Sequence, residues 1–121
     1  MSRLLRLAAV AILVVSLTLM LGPFGGAEAS SGISDKVAHF VVFGLILWSF
    51  GVLFPRLPRL WAALAAVALG GAVEVVQGMV GRDADWLDLA ADTAGVAVAL
   101  GLWVVWRGFR PRRARQTSNT R

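Results

Sequence analysis

Chemistry in this chain concentrates in three short segments. The single histidine, His39, follows Asp35 by four residues, with Lys36 between them. On a helix, positions four apart share a face, so Asp35 and His39 project together. Glu74 and Gln77 are three apart, and Gly70, Glu74, Gln77 and Gly81 form one helical stripe. Asp85, Asp88 and Asp92 follow at spacings of three and four, and Gly95 and Ala99 extend that stripe. Arg82 lies between the last two segments. Carboxylates beside an imidazole are the ordinary material of general acid–base catalysis, which makes Glu74, His39 and Asp92 the catalytic candidates. The same groups can ligate a metal. Lys36 and Arg82 can hold a phosphate or a carboxylate. No cysteine is present, which excludes disulfides, zinc–thiolate sites and thiol nucleophiles. One histidine also excludes the multi-histidine phosphatase and zinc-protease patterns, and no nucleophile–base pair is visible.

The elements that carry these residues must be membrane spans. The chain has 121 residues, is 58% hydrophobic and only 16% charged, and its mean hydropathy is +0.74. A soluble domain this short could not bury so much apolar surface. Apolar stretches run over 4–24, 37–54, 57–80 and 87–106. Each is close to the ~20 residues a helix needs to cross ~30 Å of hydrocarbon. The alternation of a membrane barrel is absent, and an open sheet cannot satisfy its backbone in lipid. The expected fold is therefore all-α, an integral bundle of four transmembrane helices. Residues 1–106 form the membrane domain, and 107–121 form a basic tail expected to be disordered and to rest on anionic lipid. Nucleic-acid binding is not expected of so short a tail.

Alternating crossings sort the charges. Arg3, Arg6, Arg56, Arg59, Arg107, Arg110, Arg112, Arg113, Arg115 and Arg121 fall on one side, which carries no acid. Glu28, Asp35, Glu74, Asp83, Asp85, Asp88 and Asp92 fall on the other, with Lys36 and Arg82. The positive-inside rule then puts both termini in the cytoplasm. Trp86 on the outer side and Trp61, Trp103 and Trp106 on the inner side suit interfacial anchors. A cleaved leader is the competing reading of the first span. Arg3 and Arg6 would be its basic start, and Ala27-Glu28-Ala29 its cleavage site. The 4–24 stretch is long for a signal peptide, so a retained helix is expected.

Depth brings the polar stripes together. At ~1.5 Å per residue, Glu74 lies about 9 Å in from Val80 and Asp92 about 8 Å in from Leu87, with His39 about one turn into its helix. A charge facing lipid there costs a few kcal/mol or more, so all three stripes should turn inward. Gly70, Gly71, Gly78, Ala91, Gly95 and Ala99 would let the helices approach. Acids outnumber bases in such a cluster. Either some carboxyls hold protons, or something positive enters: a divalent metal ion, a protonated His39 or a cationic ligand group.

In order and spacing, these residues resemble the VanZ-like family. The matching pattern is Asp35-Lys36-x-x-His39-Phe40, Glu74-x-x-Gln77, Gly81-Arg82, and Asp85-x-x-Asp88-x-x-x-Asp92-x-x-Gly95. It covers 34–100. Many members carry Asn where this chain has Asp92, which adds one potential charge. The resemblance implies a bacterial inner-membrane protein. It also implies an envelope role, since the family takes its name from an accessory factor for resistance to glycopeptide antibiotics, which bind cell-wall precursors outside the membrane. The first expectation is an outward-facing site that binds a lipid or cell-wall-precursor headgroup. Its residues would be Asp35, Lys36, His39, Glu74, Gln77, Arg82, Asp85, Asp88 and Asp92. The alternatives are a membrane-embedded hydrolase or transferase using Glu74, Asp92 and His39, and a structural or proton-conducting oligomer.

Overall fold

In the computed structural model, residues 2–22, 32–81 and 84–110 are described, with backbone alone for 32–35. They form four helices and no strand: α1 (Arg3–Leu21), α2 (Gly32–Leu53), α3 (Arg59–Met79) and α4 (Trp86–Phe109). All four are long and apolar enough to cross a membrane. The boundaries follow local chemistry. Ser2 caps α1 by accepting from the Leu5 N–H at 3.3 Å. α2 gives way to a tight turn in which the Leu57 N–H bonds the Phe54 carbonyl at 3.0 Å, across Pro55. Pro58 then opens α3, where its missing N–H costs nothing. Asp85 caps α4 by accepting from the Leu87 N–H at 2.8 Å. Asp88 in the first turn and Arg107 in the last complement that helix's dipole. α4 runs to Phe109, past the expected Trp106, and α1 stops at Leu21, short of the expected Phe24.

The helices run up and down, with α2 at the centre. It packs against α4, α1 and α3, whereas α1 and α4 do not touch among the described residues. Phe43, Ile46 and Leu47 of α2 meet Ala62, Ala66 and Val73 of α3, Val96 of α4 and Met20 of α1. The outer surface is apolar: Leu7, Val14, Leu60, Leu64, Leu102 and Val105 are all exposed. That surface suits a helix bundle in lipid, where each backbone satisfies its own polar groups.

Small residues set the α2–α4 distance. A methyl group on Gly95 would run into the Phe40 carbonyl oxygen. Gly44 faces the Gly95 carbonyl and Ala99 at ordinary contact distance. Gly71, expected to serve the same purpose, has open space around it.

Gly95→Ala is therefore expected to destabilise the protein by about 1–3 kcal/mol, against Ala's higher helix propensity, because α2 and α4 must separate. Thermal unfolding in detergent should show an apparent Tm lower by ~5 °C or more. Gly71→Ala should leave Tm unchanged or slightly raised.

Candidate functional site

The fold gathers the start of α2, the end of α3 and the start of α4 at one end of the bundle. Lys36 and His39 come from α2, Glu74 from α3, Asp88 and Asp92 from α4, and Asp85 from the cap of α4. His39 is central. Its Nδ1 lies 2.7 Å from Asp92 Oδ1, and its Nε2 lies 3.6 Å from Asp88 Oδ2. With Asp92 ionised, the imidazole donates from Nδ1, which fixes the tautomer. The ring also stacks on Phe43, one helical turn along, with centroids 6.5 Å apart and planes 6° from parallel. Gly70 makes room for Asp92: a Cβ there would sit 2.9 Å from Asp92 Oδ2.

Asp85 joins all three helices. Its Oδ1 caps α4, its Oδ2 accepts from Lys36 Nζ at 3.0 Å, and its N–H donates to Glu74 Oε2 at 3.0 Å. Lys36 also reaches Asp88 Oδ1 at 3.3 Å. The Lys36 ammonium, then the Leu87 N–H, holds the Asp85 carboxyl below its usual range.

Burial rises steeply inward. The side chains of Lys36 and Asp85 are 34% and 41% exposed, at the mouth. His39 and Asp88 are buried, and Glu74 and Asp92 have no exposed surface at all. Glu74 Oε1 is buried with no hydrogen-bond partner among the described residues. One donor atom from each of His39, Glu74 and Asp88 lies within 4.8 Å of the others.

The expected site residues thus divide. Lys36, His39, Glu74, Asp85, Asp88 and Asp92 come together. Gln77 turns to α1, where its Nε2 donates to the Met20 carbonyl at 2.8 Å. It lies one turn beyond Glu74 and rotated by about 60° from it, enough to change neighbours. Arg82 and the Asp35 side chain lie outside the described residues.

The opposite end holds a feature the sequence pattern did not reveal. The Arg59 guanidinium folds across Gly51, where a side chain would collide with it, and lies 5.1 Å from the Trp103 ring centre. Arg107 covers the same ring at 5.2 Å, and Arg110 sits over Trp106 at 3.7 Å. Arginine near α3's start and tryptophan near α4's end were the available signals, and cation–π attraction joins them.

These features define a class: a multi-pass helical membrane protein with a buried ionisable cluster shared by three helices. The profile of the VanZ/LLP1 family matches residues 16–107, about three quarters of the chain. The chain belongs to that family. No curated protein and no solved structure matches it.

Two tests follow from this geometry. Gln77→Leu should cost about 1 kcal/mol by removing the bond from Nε2 to the Met20 carbonyl, and should speed hydrogen exchange at the end of α1 without disturbing the His39 cluster. Asp85→Asn keeps a competent helix cap but loses the charge. Because the folded Asp85 pKa is lowered, its ion pair stabilises the protein above the unfolded value and is lost as pH falls through the folded one. The stability gap between wild type and Asp85→Asn, measured by thermal unfolding, should be present at neutral pH and shrink away as the pH falls below the ordinary aspartate range, through the lowered pKa of folded Asp85.

Proposed function

We propose that this protein is an envelope factor of the bacterial inner membrane. In this reading both termini are cytoplasmic, and the cluster opens outward to bind the polar headgroup of a membrane-anchored envelope lipid or cell-wall precursor. The observation that carries this reading is Glu74. A fully buried carboxylate with one oxygen unpartnered among the described residues, behind the half-exposed Lys36 and Asp85, is costly as mere helix glue. A headgroup at the mouth meets Lys36 and Asp85 first, and His39, Asp88 and Asp92 lie behind them. Charge sidedness supports the orientation, since the arginine-rich end lies opposite the acidic end. Family membership supports the envelope role through the glycopeptide-resistance factor that names the family.

Glu74→Gln and Asp92→Asn are the tests. Each should abolish headgroup capture by the protein in nanodiscs, read by native mass spectrometry, at unchanged abundance. Variants that retain wild-type capture, or that lose it only with their abundance, would move the cluster to a structural role.

A second reading, a hydrolase or transferase, rests on one geometric fact. Asp92 orients His39 through Nδ1, leaving Nε2 toward the mouth-side carboxylate Asp88, an arrangement suited to a general base. Product release from an envelope-lipid panel by wild type, absent in Asp92→Asn, would establish it.

A further inference from the structure

We propose that His39, Glu74 and Asp88 hold a divalent first-row transition-metal cation, with Asp92 positioning the imidazole. The donor set comes first. One atom from each residue lies within 4.8 Å of the others, and His39 Nε2 to Asp88 Oδ2 is 3.6 Å. That distance exceeds a hydrogen bond but suits two ligands of one ion, since donors at ~2.0–2.2 Å from a shared zinc lie about 3–4 Å apart. The remaining separations close by about an ångström or less as the carboxylates rotate.

The second observation concerns Asp92. Its Oδ1 accepts from His39 Nδ1 at 2.7 Å, which leaves Nε2 as the ligating nitrogen. A carboxylate behind a ligating imidazole fixes the tautomer and ring angle and raises the basicity of the ligand. Gly70, with no side chain, gives that carboxylate its place. The third observation is independent of the cluster's composition. Glu74 has no exposed surface, and its Oε1 finds no hydrogen-bond partner among the described residues. Its other oxygen is held by the Asp85 N–H, which leaves Oε1 as the ligating atom. A cation supplies what Oε1 lacks.

Charge agrees. Glu74 and its neighbours Asp85, Asp88 and Asp92 bring four carboxyl groups together, and a cation among buried carboxylates offsets the cost of their burial. Mixed imidazole and carboxylate ligation favours zinc, manganese or iron over magnesium or calcium. Three protein donors leave a position open for a headgroup oxygen. That last step rests on the proposed headgroup reading, whereas the cation site does not.

The experiment uses the full chain with any affinity tag removed, in nanodiscs, with Zn²⁺ as the probe. Wild type should bind one equivalent saturably, and X-ray absorption of the loaded protein should show one imidazole among oxygen donors. A single histidine in the sequence makes that imidazole His39. Glu74→Gln and Asp88→Asn should each weaken binding by more than about tenfold, and Asp92→Asn by about 10–100-fold. Unsaturable binding, no imidazole in the spectrum, or unchanged affinity in folded Glu74→Gln and Asp88→Asn would overturn the site. The absorption spectrum decides from wild type alone if the variants do not fold. Headgroup capture before and after chelation separates the two readings. Capture that survives chelation overturns the cation's part in it and leaves the headgroup reading standing. A bound cation without capture supports the metal site and removes the headgroup reading.

Discussion

The cost of placing ionisable side chains in a low-dielectric interior governs this structure. Glu74 and Asp92 lie with no exposed surface in helices otherwise built for hydrocarbon. Neither can face lipid, and neither can reach bulk water, so each must find its counterpart on another helix. That requirement fixes the rotation of α3 and α4 about their axes. It also explains why α2, bearing His39 and Lys36, packs most extensively against α4.

Hydrophobic burial does not bring helices together in a membrane, because lipid is as apolar as their side chains, so close packing and interhelical hydrogen bonds must. Close approach needs missing atoms. Gly95 lets α4 press against the Phe40 carbonyl, and Gly70 opens the space that Asp92 fills. The two glycines serve the same cluster from opposite sides: one sets the α2–α4 distance that a 2.7 Å His39–Asp92 bond requires, and the other clears α3 from the carboxylate. At the far end, Gly51 does comparable work by letting Arg59 lie flat against α2 beside Trp103.

Much of this was legible in the sequence because membrane spans are governed by length and composition. Four apolar stretches gave four helices, with ends displaced by a few residues where caps rather than hydropathy decide. The His39, Glu74, Asp88 and Asp92 gathering was legible because equal depth and helical spacing leave few inward arrangements. Gln77 was not, because a stripe about 60° wide can serve two neighbours, and only packing shows that its far edge meets α1. Gly71 looked equivalent to Gly70 for a related reason: adjacent positions point about 100° apart, and only one of them faces α4. The Arg59 contact was not legible, because its partners, Gly51 and Trp103, belong to other helices and share no spacing with it.

The bond from the Asp85 main chain to Glu74 has a consequence for how the family can vary in length. It joins the last turns of α3 to the residue that caps α4, so the connection between those helices spans a fixed gap between two anchored points. An added residue there would turn the cap away from Glu74 and carry Asp88 and Asp92 off their partners together. Surface connections otherwise tolerate insertion readily. Length differences among relatives that keep this cluster should therefore accumulate between α1 and α2 and beyond α4, and be scarce between α3 and α4.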